Sequence, residues 1–387
     1  MSGSRCTRHA LAGALGFAVV LGGSGCSGDA ARAPGQAQPG AGGAGGQGGE
    51  EQEPSPAPAY TIAAFEEVRI TSDASQPNFQ QANADIDLRD GPFASVRLVV
   101  ELESTCYPFE TWEDNPPPEG QSWPADCDAF DRNFELSLDD PVDPAADPPG
   151  IELVRAITPF GGPLRLDVDI TDVANGLPAG QHRLRVVIPT WSDGSGQVSG
   201  SNGGWNVSAV IEAVPGPAPR KVLAVVPLFN GSQTTADGPG PLAVEVPEGT
   251  VSSRVEYRIT GHGGGESGSG CIGPAEEFCR RIHTLFVDGS ELARIRPWRT
   301  DCAALCTIAH HGPEDGGFDY CLENPCGAIE SVRAPRANWC PGSESPPFTW
   351  DADALRVPGR HTLAWEISTI AEGGLWRVSA TYFAFGE

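Results

Sequence analysis

The sequence predicts an almost all-β protein built as two sandwiches, and three observations predict it. Its 49 glycines and 36 prolines are dispersed through the chain instead of being gathered in one repeat, which discourages long helices and favours short strands joined by turns. Apolar and polar residues alternate over short stretches, the period-2 pattern of strands with one face buried. A length of 387 residues exceeds one ordinary core and suits two domains of roughly 100 to 200 residues.

In the first half the alternating stretches are Val96 to Leu102, Phe134 to Leu138, Leu164 to Ile170, Leu184 to Ile188 and Val207 to Val214. The run Pro215-Gly216-Pro217-Ala218-Pro219 then breaks the pattern. Proline there suits an extended connector better than a helix or a central strand, so residues 215–221 are the expected linker between domains 60–214 and 222–387. The second half continues with Val222 to Leu228, Leu242 to Val246, Val255 to Thr260, His283 to Val287, His361 to Ile370 and Trp376 to Phe385. Only Pro274 to Arg281 has the make-up of a helical turn, so two antiparallel sandwiches of about eight strands each are expected. The run Gly261-His262-Gly263-Gly264-Gly265 has no following Lys-Ser/Thr for a phosphate cradle and reads as a mobile loop.

Residues 1–25 read as an export signal: Arg5, Arg8 and His9 form a basic start, Ala10 to Leu21 an apolar stretch too short to span a bilayer, and Ser24-Gly25-Cys26 a small-residue end. Cleavage before Cys26 would leave a thiol for a lipid anchor to the membrane, with the Gly/Ala/Gln/Pro tract 26–59 as a flexible tether. Gly23 stands where lipidation signals usually carry leucine, so ordinary cleavage and free secretion is the alternative. Either route puts the folded part outside the cytoplasm. Nine cysteines follow Cys26, and in an exported chain they read first as disulfides with an odd one over. A zinc site would need short thiolate spacing or adjacent histidines, which Cys271/Cys279 and Cys302/Cys306 do not supply. A formal charge of −26, from 51 acidic against 25 basic residues, repels phosphate backbones and argues against nucleic acid as a partner.

Fold does not fix function, so chemistry must be sought in local clusters. Cys127-Asp128-Ala129-Phe130-Asp131-Arg132 sets a carboxylate beside a half-cystine and a cation. Taken alone, Asp131 and Arg132 read as a surface pair in a turn. Glu276-Glu277-Phe278-Cys279-Arg280-Arg281 has the same make-up, and taken alone is a solvated face. Trp191, Trp205, Trp298 and Trp339 have the surface to stack on sugar rings, although tryptophans in sandwiches usually pack the core.

These residues carry a resemblance. Val226-Pro227, Gly261-His262, Glu277 to His283, Pro297-Trp298-Arg299-Thr300-Asp301-Cys302 and Arg336-Ala337-Asn338-Trp339-Cys340-Pro341-Gly342 occur in order in the second half. The first half adds Cys127 to Arg132, Arg155 to Phe160, Asp167 to Asp172 and Thr190-Trp191. From about Tyr60 onward the chain resembles the bacterial peptide-N-glycosidase F family, amidases that cut N-linked glycans from asparagine. The resemblance implies two side-by-side eight-stranded jelly rolls with the active cleft between them, no metal or cofactor, and a glycoprotein or glycopeptide substrate met by a monomer. It implies Asp131 as the principal catalytic residue and Glu277 as its partner from the second domain. Arg132 and Arg336 would position substrate and carboxylate, with Trp191, Trp339 and His262 also facing the substrate. It further implies disulfides Cys106 to Cys127, Cys271 to Cys279 and Cys302 to Cys340, leaving Cys306 to pair with Cys321 or Cys326.

One departure stands out. The family carries a glutamate one residue before the Thr190-Trp191 pair, where this chain has Pro189, which neither accepts a proton nor holds a water. Asp193 is the nearest carboxylate that would substitute. A long insertion between Cys106 and Cys127, with Trp112 and Trp123, is placed to overhang the cleft. Two functions compete: an exported N-glycan amidase, and an impaired glycan-binding or adhesion lipoprotein on the same scaffold. Copper monooxygenases share the double sandwich but need a methionine ligand, and the sole methionine here is Met1.

Overall fold

Nineteen strands carry the chain in the computed structural model, which describes residues 57–141, 143, 146–264 and 270–387. The first half holds β1 (Tyr60–Thr71), β2 (Gln81–Leu88), β3 (Phe93–Glu103), β4 (Asn133–Leu138), β5 (Ile151–Ile157), β6 (Leu164–Asp169), helix α1 (Thr171–Gly176), β7 (Gly180–Val187) and β8 (Gly204–Pro215). The second holds β9 (Lys221–Gln233), β10 (Leu242–Val246), β11 (Ser252–Gly263), β12 (His283–Val287), β13 (Ser290–Ile295), β14 (Ile308–His311) and β15 (Phe318–Cys321). It continues through helix α2 (Ile329–Arg333), β16 (Ser343–Glu344), β17 (Phe348–Trp350), β18 (Gly359–Ile367) and β19 (Gly374–Gly386). The expected signal at 1–25, the lipidation site Cys26 and nearly all of the tether lie outside the described residues.

Sheets β1-β8-β3-β6 and β16-β5-β4-β7-β2 enclose the first core, and β10-β18-β12-β13 and β17-β11-β19-β9 enclose the second. Every pairing between these strands is antiparallel. Apart from β16, which crosses from the second half to pair with Ile157 and Ala156 of β5, each sandwich has eight strands from its own half. Strand β8 illustrates why the alternating stretches fold this way: Trp205, Val207, Ala209, Ile211 and Ala213 all point into the core.

Strands β1, β2, β5 and β13 to β17 fall outside the alternating stretches, and β5 offers no alternation to read because all seven of its residues are buried. Strand β19, read in the sequence as the stretch Trp376 to Phe385, is also buried on both faces. Trp376, Val378, Ala380, Tyr382 and Ala384 enter the second core, while Phe383 and Phe385 join the first. Between the sandwiches lies a polar seam. Arg377 pairs with Glu135, Arg155 donates to the carbonyls of Arg258 and Arg377, and Arg258 donates to those of Glu152 and Leu153. The described residues belong to one compact unit.

Two local expectations need correction. The helical turn at Pro274 to Arg281 is a single 3-10 turn, Glu276–Phe278, and it has company in α1, α2 and the 3-10 turns Phe109–Glu113, Cys302–Leu305 and Asp353–Arg356. All are shorter than the 3.6-residue period needs to register in sequence. Gly261 to Gly263, expected in a mobile loop, instead end β11, paired with Trp376 to Gly374 of β19.

Candidate functional site

Each half supplies one carboxylate to a shared arginine. In the first half the Cys106–Cys127 disulfide fixes the start of the segment. Asp128 is fully buried and takes Arg132 Nε and Nη2 at 3.0 and 2.9 Å. The Arg132 backbone N–H donates to Thr158 Oγ1 at 2.8 Å. Asp131 sits between these anchors with its side chain 10% exposed.

In the second half the Cys271–Cys279 disulfide closes the turn that holds Glu277. The Glu277 carbonyl accepts the Ala337 N–H at 2.7 Å, and Arg299 and Arg336 exchange backbone hydrogen bonds at 2.9 and 3.1 Å. The Cys302–Cys340 bridge ties the flanks of that pairing.

Arg336 is 1% exposed and held from behind, its Nη1 donating to the carbonyls of Ser331 and Ala334 and its Nη2 to Ser331 Oγ. Its guanidinium lies over the rings of Trp339 and Phe278, 4.7 and 5.1 Å from their centroids. The carboxylates face what is left of the fork: Asp131 Oδ2 is 4.0 Å from Nη2, and Glu277 Oε1 is 3.8 Å from Nε. That Nε is buried without a hydrogen-bond partner of its own.

The two acids shift accordingly. Burial raises Asp131 above the ordinary aspartate range, against the charges of Arg336 and Arg132, which favour its ionised form. Burial, then the charge of Asp131, pushes Glu277 up to about 7, with Arg336 opposing. Like charges at one arginine resist ionising together, which favours sharing a proton between the two carboxyls. Such a pair can supply a base and an acid at once.

Beside Asp131 lie two exposed aromatic rings. Trp191 is 43% and Phe130 38% exposed, and the Arg132 guanidinium is 5.0 Å from each ring centroid. Phe130 was missed in the sequence, although its place next to Asp131 was the signal. Asp128 and Glu276, both fully buried, were passed over because an acidic residue in sequence reads as solvated.

Other expected site residues have different work. Trp339 is 2% exposed, donates its indole N–H to the Gly261 carbonyl and is stacked by His262 at 5.3 Å, so it packs beneath Arg336 and offers no face to a sugar. His262 is kept neutral, its pKa lowered to about 3 by burial and by the charge of Arg155. Arg132 gives its fork to Asp128 and the Trp191 carbonyl, so it holds the platform together. Asp193 does not replace the missing glutamate: it accepts from Ser195 Oγ and the N–H groups of Gly196, Gln197 and Val198. Burial works to raise its pKa, but these bonds outweigh it and hold the group below the ordinary range, which organises a loop and makes a poor base. Trp205 is wholly buried.

The three bridges implied by the resemblance are formed, and Cys306 takes Cys321 as its partner. Cys326 lies against the first of them, its sulfur within 4.8 Å of those of Cys106 and Cys127. The Cys106 to Cys127 insertion packs Phe109 on His311, Phe318 and Tyr320 of the β14–β15 hairpin. It also ties Trp123 and Ser122 to Gln197, in the loop after Trp191.

Two packed antiparallel jelly rolls, with an acidic pair drawn from both, define the class as a double β-sandwich of N-glycan amidase type. The fold matches peptide-N(4)-(N-acetyl-β-D-glucosaminyl)asparagine amidase at TM-score 0.61 and 17% identity, over 85% of this chain and 96% of that one. PNGase F, a glycosylasparaginase from Flavobacterium meningosepticum, matches at TM-score 0.60 and 17% identity over the same shares. PNGF-II matches at TM-score 0.61 and 18% identity over 84% of this chain, which spans only 65% of that structure. Residues 231–382 match the family model described as peptide-N-glycosidase F, C terminal. The family match thus covers residues 231–382, and the fold is the one that these peptide-N-glycosidase F structures share. Among curated proteins no match is found.

Proposed function

We propose that this protein is an exported amidase that hydrolyses the bond between an N-linked glycan and asparagine in glycoproteins or glycopeptides. The observation that carries the reading is the convergence of Asp131 and Glu277, from opposite halves, on the Arg336 fork at 4.0 and 3.8 Å. Asp131, favoured as the anion by Arg336 and Arg132, takes a proton from water as its oxygen bonds to the amide carbon. Glu277, with its pKa near 7, gives its proton to the departing nitrogen as the C–N bond breaks. The products are a glycosylamine and an aspartate side chain. Phe130 and Trp191 provide an apolar face for sugar beside the reacting carbon. Four disulfides accord with a compartment outside the cytoplasm, and Cys26 is the proposed lipid anchor.

The test is release of glycan from a denatured N-glycoprotein, read as the mass gain that conversion of asparagine to aspartate leaves. Asp131→Asn is expected to lower kcat about 10³-fold, the scale of a lost general base, with thermal unfolding nearly unchanged. Equal rates in wild type and Asp131→Asn would move the chemistry elsewhere. Pro189→Glu restores a water-orienting carboxylate and is expected to raise turnover on the order of 10²-fold, only while Asp131 is intact. Because Asp193 is committed to its own loop, the glycan-binding reading keeps a definite prediction: wild type and Pro189→Glu both inert, yet binding glycopeptide.

A further inference from the structure

The two acid-bearing segments share a design that neither the family match nor the reacting pair explains. Three residues before Asp131, Asp128 is 0% exposed; one residue before Glu277, so is Glu276. Each is gripped by the fork of an arginine a few residues on, Arg132 for Asp128 and Arg281 for Glu276, with N···O distances of 2.8 to 3.0 Å. Each also accepts the indole N–H of a fully buried tryptophan from a core strand, Trp205 of β8 at 3.3 Å and Trp376 of β19 at 2.8 Å. Further donors complete each: Ser199 Oγ at 3.1 Å and the Phe130 N–H at 3.3 Å to Asp128, and the Ala371 N–H at 2.8 Å to Glu276.

A buried carboxylate is stable only when its lone pairs are satisfied, and here the donors come from separated parts of the chain. The cost of burying the charge is met by binding the local turn to the rigid sandwich strand behind it. We propose that Asp128 and Glu276 are positioning residues, twin clamps that lock the backbone under Asp131 and Glu277 to the core of each half. The proposal rests on the reading of Asp131 and Glu277 as the reacting pair. Their separate halves make it necessary: with the two groups carried on different sandwiches, each must be fixed to its own core before their mutual geometry is fixed.

Trp376→Phe deletes one donor from the Glu276 clamp and leaves Arg281 in place; Trp205→Phe does the same for Asp128. Arg281→Lys is a second variant that keeps the charge and loses the fork. Two readouts go beyond stability. One is kcat and KM on a glycopeptide; the other is the titration of the Glu277 carboxyl by carbon-13 NMR of the whole protein, assigned with Glu277→Gln. Loosening the clamp is expected to lower kcat about tenfold or more with KM changed less than about twofold, and to move the Glu277 midpoint by about half a pH unit or more. A lower unfolding temperature with kcat and the Glu277 midpoint both as in wild type would overturn the proposal and leave the clamps structural. If wild type releases no glycan, the amidase reading fails by itself, and the Glu277 midpoint in Trp376→Phe still decides whether the clamp positions that group.

Discussion

Glu277 is placed where its charge works against folding. Burial and the nearby Asp131 raise its pKa from 4.5 to about 7, so the folded state binds the proton more tightly than the unfolded state does. Stability is therefore undiminished below pH 4.5, where both states are protonated, and is lost as pH rises from there through about 7. The side chain is 23% exposed, so the cost of ionising it is on the order of 2 kcal/mol. Glu277→Gln is therefore expected to be more stable than wild type at pH 8, with the gap closing as pH falls toward the ordinary glutamate range. Urea titrations at the two pH values check this; a gap independent of pH would mean that the carboxyl is not perturbed as described. A residue that lowers stability while facing a partner acid is the pattern of a group kept for chemistry.

At the scale of elements, the first-half segment bearing Asp131 is braced by a second-half excursion. Phe160 accepts the Cys326 N–H at 3.0 Å and donates to Asn324 Oδ1 at 3.1 Å, and its ring packs edge-on to Phe130. Gly161 makes the approach possible. Its φ is +69°, and a Cβ there would lie 2.7 Å from Cys106 Cβ and 2.8 Å from Cys326 Sγ. Both the left-handed backbone and the contact exclude a side chain. Gly161→Ala is expected to cost about 1–3 kcal/mol and, by displacing the Cys106–Cys127 bridge, to reduce glycan release as well. Denaturation with urea measures the first effect; an unchanged midpoint would mean that the brace yields without strain.

At the scale of the molecule, the seam between sandwiches is held by charge. Arg377 of β19 meets Glu135 of β4 through Nε and Nη2 on one guanidinium edge, and Nη2 also donates to Asn230 Oδ1. Burial alone would raise Glu135, but the charge and hydrogen bonds of Arg377, with Arg155 and His262 adding to them, hold it at about 2. Its contribution is thus present above pH 4.5 and lost as pH falls through about 2. Arg377→Met leaves this carboxylate buried without its main partner and is expected to cost about 3–5 kcal/mol. Adding Glu135→Leu should recover most of that loss, because a well-packed apolar pair replaces buried ions at little net cost. Failure of the double variant to recover would show that the seam needs the specific hydrogen bonds and not merely neutrality.

The sequence by itself determined the all-β class and most strands of the two sandwiches, because alternation is a local signal; Asp131, Glu277 and Arg336 it offered only through a family resemblance. It missed β1, β2, β5 and β13 to β17, and it did not foresee that Trp339 is buried or that Arg132 and Asp193 spend their hydrogen bonds within the protein, because strand pairing and the choice of hydrogen-bond partner are decided across long separations. Arg336 stands 205 residues beyond Asp131 by number, and no spacing rule reveals that its fork lies 4.0 Å from that carboxylate. Nor does an acidic letter distinguish Glu276, with four donors and no solvent, from Glu277 beside it, partly exposed. That difference is one of desolvation and satisfied lone pairs, which exist only once both sandwiches are folded and packed together.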